Sequence, residues 1–114
     1  MNKQIVQTLR TLGVPAHLEG YGYLKSALEI CLNDTSAIRG VTKTLYPHIA
    51  DANDTTPTGV ERAIRHAIEI AWARGDKGVL SQYFGNTIDG CRGKPTNAEF
   101  IATVAEQLRL EVAV

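Results

Sequence analysis

Six polar residues recur at helical spacing between positions 58 and 69: Thr58, Glu61, Arg62, Arg65, His66 and Glu69. At about 100° per residue they share one face of a helix. Val60, Ile64, Ala67, Ile68, Ala71 and Trp72 fall on the opposite face. The polar face mixes two guanidiniums, an imidazole, two carboxylates and a hydroxyl. Arginine donates two parallel N–H bonds to guanine O6 and N7, or clamps a phosphate. A carboxylate at Glu61 can accept from cytosine N4 or orient an arginine. The set suits the reading of DNA base edges. Taken alone it also suits an ordinary helix with one apolar and one solvated face, so the surrounding elements must decide.

Those elements form a pair of helices across positions 46–75. The second helix starts at Thr56, a good N-cap, with Pro57 at the first helical position. Thr58 and Glu61 offer a second possible capping box one step in. Gly75 after Arg74 is the expected stop. Before it, Ile49 and Ala50 sit on a short helix that Pro47 could open. Ten residues separate Ala50 from Val60. A helix-turn-helix needs a small residue in its first helix and a β-branched residue about ten positions later, under the second. Ala50 and Val60 meet both needs. The second helix of such a unit enters the major groove with its N-terminal half against the bases, where Arg62 and Arg65 lie. Asp54 stands where such units often place a glycine, so the turn is expected to differ locally.

The remaining helices are read from apolar periodicity. Asn2 to Leu12 carries Ile5, Val6, Leu9 and Leu12 on one face, and Gly13 ends it. A second helix runs from about Gly20 to Leu32, with Leu24, Ala27, Leu28 and Cys31 inward. Gly20 and Gly22 read as a helix start rather than a cofactor loop. Asp34 or Thr35 caps a third helix carrying Ile38, Val41 and Leu45, which Pro47 kinks or ends. Val79, Leu80, Tyr83 and Phe84 mark a short helix before Gly85. The glycine-rich stretch from Asn86 to Lys94 reads as a mobile loop. Thr96 with Glu99 forms a capping box after Pro95. The last helix runs to about Arg109 with Phe100, Ile101, Val104 and Leu108 inward. Trp72 reads as a core anchor. No stretch alternates with a period of two. The expected fold class is all-α: a compact bundle of about six helices containing the helix-turn-helix, as one domain over 1–114.

Other chemistry finds little support. The 114 residues suit one domain with one core. Twelve basic residues balance twelve acidic ones, so any positive footprint is local and non-specific binding to phosphates should be weak. There is no signal peptide and no apolar run long enough to span a bilayer. Cys31 and Cys91 form no Cys-x-x-Cys pattern, and a reduced, cytoplasmic protein is the simplest reading. His17, His48 and His66 have no partner at a spacing typical of zinc, so no metal and no cofactor is expected. No nucleophile elbow or phosphate loop is present, and an enzyme is not expected. The competing reading is an all-helical protein-interaction module without sequence-specific DNA binding.

The run TKTLYPHIA, then NDTT, VERAIRHAIEIAWARG, LSQYFGNT and KPTNAEFIATVAEQLRLE, resembles the C-terminal effector domain of the stage zero sporulation protein A family. These are master response regulators of sporulation in endospore-forming Firmicutes. The similarity extends back through GVPAHLEGYGYLKSALE and covers nearly the whole chain. The resemblance implies a two-component effector domain without its N-terminal receiver domain, since no cluster of paired acids with a downstream lysine is found. It implies binding to TGTCGAA-like elements, often in tandem, as a head-to-tail homodimer that activates some promoters and represses others. It places Glu61, Arg62 and Arg65 at or near the bases, with His66 and Glu69 further along the face and Thr56 and Thr58 in the first turn. Lys94, Pro95 and Thr96 match a loop that approaches the DNA backbone. Val79, Leu80, Ser81, Gln82, Tyr83, Phe84 and Gly85 match a surface that engages the sigma subunit of RNA polymerase. Two stretches depart from the family pattern: Gly59, which removes one possible phosphate contact, and Gly90–Gly93.

Overall fold

The computed structural model describes residues 2–85 and 93–113, the side chains at 41, 42, 112 and 113 excepted. The expectation of a mobile loop falls mostly on residues 86–92, outside the described residues, as does Cys91. Among the described residues there are six α-helices: α1 (Asn2–Thr11), α2 (Glu19–Asn33), α3 (Tyr46–Ala52), α4 (Pro57–Arg74), α5 (Lys77–Phe84) and α6 (Asn97–Ala113). A 3₁₀ segment (Thr35–Gly40) and a π segment (Val41–Leu45) join α2 to α3. Among the described residues there is no strand, and the fold is an all-α bundle.

The third helix expected between Asp34 and Leu45 is therefore not an α-helix. Asp34 does cap the segment: its Oδ1 accepts from the Ser36 amide at 3.0 Å and the Ser36 hydroxyl at 2.6 Å. Beyond it, Gly40, Val41, Thr42 and Thr44 are all poor helix formers. Pro47 has no N–H to return to residue 43, so an α-helical ladder cannot run through this stretch. The chain narrows, then widens, and restarts as α3 with Pro47 in its first turn. Leu45 is still buried and Ile38 half-buried, as the periodicity demands.

Helix α4 is the centre of the bundle. It packs on α2, α3 and α6, sharing its largest interface with α2. Val60, Ile64, Ala67, Ile68 and Ala71 are all buried along one stripe. Burying an isoleucine side chain contributes roughly 1.5–3 kcal/mol, so this stripe fixes α4 in place. Trp72 stands at the edge of the core rather than inside it. Its ring meets Phe84 and Phe100 edge-on, with centroids 5.1 and 6.2 Å away, and those two rings stack at 5.4 Å.

Two close crossings depend on glycine. A Cβ on Gly20 would stand 2.1 Å from the Ala63 carbonyl oxygen and 2.8 Å from the Ala67 Cβ. Gly20 thus belongs to the α2–α4 contact as well as to a helix start. Gly13, at φ +88°, would bring a Cβ to 3.0 Å from the Gly75 Cα. Gly75 ends α4 as expected, and its backbone there is extended, with φ −73° and ψ 165°. It ends α4 by giving way to the neighbouring chain.

Candidate nucleic-acid interface

The turn between α3 and α4 sets the geometry. Asn53 ends α3, and the Thr55 amide donates back to the Ala50 carbonyl at 3.0 Å. That bond closes a Schellman motif whose left-handed residue is Asp54, at φ +55°. The expectation of a locally different turn is thereby corrected. Aspartate is among the few side chains that tolerate this conformation, so Asp54 adopts the shape glycine would have taken. Ala50 and Val60 are both buried where the two helices cross. Thr56 caps α4, its hydroxyl accepting from the Gly59 amide at 3.0 Å. This settles the start in favour of Thr56 over Thr58. A Cβ at position 59 would lie 3.0 Å from the Thr55 hydroxyl and 3.2 Å from that of Thr56. A longer residue there would crowd the cap.

The polar face of α4 is outward along its length. Thr58, Arg62, Arg65, His66 and Glu69 are exposed and Glu61 is half-buried. Arg65 Nη1 donates to Glu61 Oε1 at 2.8 Å, one helical turn away. An exposed pair of this kind contributes about 0.3–0.5 kcal/mol, far less than the apolar stripe beneath it. It orients the Arg65 guanidinium more than it stabilises the helix. Among the described residues Arg62 has no hydrogen bond or ion pair. A groove of about 490 Å³ lies over the first two turns, lined by Tyr46, Pro57, Thr58, Glu61, Arg62 and Arg65.

A second groove of about 370 Å³ runs on the other side of the Glu61–Arg65 ridge. Lys94, Pro95, Thr96 and Asn97 form its far wall. The sequence places these residues about thirty positions from Arg65, and the fold brings them together with the polar face of α4. Lys94 Nζ stands 4.0 Å from Glu69 Oε2. The capping box at the start of α6 is present: the Glu99 amide donates to the Thr96 hydroxyl at 3.1 Å, and the Thr96 amide to Glu99 Oε1 at 2.8 Å. The N-terminal turn of α6 and the cation beside it thus face the same side as Arg65.

Sequence reasoning missed two residues here. Tyr46 is buried, and its hydroxyl accepts from Asn97 Nδ2 at 3.0 Å. Burial raises the Tyr46 pKa and the Glu61 carboxylate adds to that; the Asn97 hydrogen bond and Arg65 partly offset it. Asn97 also donates to the Glu61 main-chain oxygen at 3.1 Å. Only an asparagine at a first helical position, where a proline or an acid is commoner, could have hinted at this.

On α5, Phe84 is fully buried, which corrects its inclusion in a contact surface, whereas Leu80, buried but 4% exposed, lines a groove with Trp72, Lys77 and Ser81. Ser81, Gln82 and Gly85 are exposed, with Val79 and Tyr83 half-buried. His17 and His48 are exposed, and the described residues hold no group of three or more metal-ligating side chains.

A family model described as "Sporulation initiation factor Spo0A C terminal" matches residues 5–108. The chain belongs to this family. The Spo0A C-terminal domain is a sporulation-factor, DNA-binding effector domain of a response regulator, and no enzyme class is known for it. The match runs from α1 into α6 and spans both walls of the second groove. No helix among the described residues is long and apolar enough to cross a membrane.

Proposed function

We propose that this Spo0A-type domain binds duplex DNA sequence-specifically, with the N-terminal half of α4 in the major groove. Arg62 and Arg65 read base edges. Glu61 holds Arg65 in readiness and accepts from cytosine when the arginine leaves it. Thr56, Thr58, Lys94 and Thr96 meet phosphates, the last two at the N-terminus of α6. His66 and Glu69 frame the far end of the face.

What carries the reading is one observation: Arg65, oriented by Glu61, lines one groove together with Arg62, which has no hydrogen bond or ion pair among the described residues, and a second groove together with Lys94 and the start of α6. Base-reading and phosphate-holding groups are thereby presented together. The targets are TGTCGAA-like elements, usually in tandem, occupied by two copies head to tail. Binding activates some promoters and represses others. The exposed part of α5 (Ser81, Gln82 and Gly85, with the edges of Val79 and Tyr83) meets the sigma subunit of RNA polymerase. In solution the domain is a monomer that pairs on the DNA.

The test is fluorescence anisotropy on a duplex with two such elements against a scrambled duplex, over a salt series. Tighter binding to the intact site that persists as salt rises is expected. With three cations on the face of each copy, the logarithm of affinity should fall with that of salt at a slope no steeper than about −3 per bound copy. Equal, weak and salt-sensitive binding to both duplexes would refute base readout and favour a protein-interaction surface.

A further inference from the structure

Asn97 opens α6, and its side-chain amide reaches two other helices. Nδ2 carries two hydrogens. One goes to the Tyr46 hydroxyl at the start of α3, the other to the Glu61 carbonyl on the second turn of α4. These bonds span 51 and 36 residues of sequence. Both are partly buried, so water does not compete freely for them. Immediately before Asn97 stands the Lys94–Thr96 segment. Gly93, at φ +75°, turns the chain into it, and Pro95 is buried. Its last residue, Thr96, is locked by the Glu99 capping box.

The apolar contact between α6 and α4 is non-directional. It resists separation of the two helices better than it resists sliding. A planar amide held at two points does fix position, because hydrogen bonds weaken steeply when misaligned. The point at which Asn97 holds α4 is the backbone of Glu61, whose carboxylate orients Arg65.

Resting on the DNA-binding reading above, we infer that Asn97 is a positioning residue. It sets the distance from the phosphate-facing Lys94–Thr96 segment to the base-facing Glu61–Arg65 turn. Its effect belongs to specific binding alone. On the cognate element the bases fix the register, so Lys94 must already stand at the right phosphate. On a scrambled duplex nothing fixes the register, and a displaced Lys94 still finds one.

The experiment is a double-mutant cycle with Asn97→Ala, Lys94→Ala and both together, titrated on intact and scrambled duplexes, with thermal melts of each protein. Asn97→Ala should weaken the intact element about tenfold and the scrambled duplex less than about twofold. Lys94→Ala should cost about fivefold on either duplex in the wild-type background. On the intact element it should cost clearly less once Asn97 is gone. Should Asn97→Ala melt too low to titrate, Tyr46→Phe replaces it in the same cycle, since it removes one of the two anchors and keeps the ring. Additive losses, or equal losses on both duplexes, would overturn the inference while leaving base readout standing. A wild-type protein with no preference for the intact element would overturn both, and that result is visible before any substitution is made.

Discussion

At the scale of single residues, Arg62 and Arg65 differ although they share a helix face. Arg65 is held by Glu61 at 2.8 Å, while Arg62 has no such partner among the described residues. On the proposed reading a base would compete with Glu61 for Arg65 but would meet Arg62 unopposed. Arg62→Ala should therefore cost about 1–3 kcal/mol on the cognate site and relax preference at one base position. Competition anisotropy across single-base variants of the element would measure this. A loss spread evenly over all variants would assign Arg62 to a phosphate instead. Much of this face was legible in the sequence, because helical spacing alone sorts Thr58, Glu61, Arg62, Arg65, His66 and Glu69 to one side. The Asn97–Tyr46 contact was not. No local pattern joins residues 51 positions apart.

Among the elements, α4 is legible to within a turn at its start, where Thr56 rather than Thr58 is the cap, and its stop at Gly75 and its buried stripe stand where the sequence puts them, with Trp72 only half-buried. The π segment before α3 was not foreseen, because Ile38 and Leu45 keep helical spacing while the residues between them disfavour the helix. Gly20 shows a third kind of illegibility. A glycine inside a helix costs up to about 1 kcal/mol, so it signals a tight contact but does not say with what. The fold supplies the partner: the Ala63 carbonyl, 2.1 Å from where a Cβ would stand. Backbone cannot swing aside as a side chain can. Gly20→Ala should destabilise the domain by about 2–3 kcal/mol despite the better helix propensity of alanine. Urea unfolding would check it, and a variant as stable as the wild type would mean that α2 and α4 are not in close contact there.

For the whole molecule, the radius of gyration of 13.1 Å is that of one compact body, close to the roughly 13 Å expected for a chain of this length. Its core encloses groups that resist ionisation. Burial raises the Cys31 thiol above its ordinary 9.0; Asp34 adds to that and Arg109 opposes it. Burial likewise raises Tyr46 and Tyr83 above 10.0, with Glu111 adding to the Tyr83 shift. Each group binds its proton more tightly when folded. Its contribution is therefore complete below the unfolded pKa and is lost as pH rises through the folded one. Thermal stability should hold level from neutral pH to about 9 and fall beyond it, and melting curves up to about pH 10.5 would show this. A melting temperature unchanged across that range would contradict the burial of these groups. The α2–α4 crossing has a mechanical consequence at this scale. Where side chains separate two helices, they cushion one from small displacements of the other. At Gly20 no cushion exists, so a displacement of α2 should carry α4 with it, and on the proposed reading a push on the outer side of α2 would be passed to the face that meets DNA.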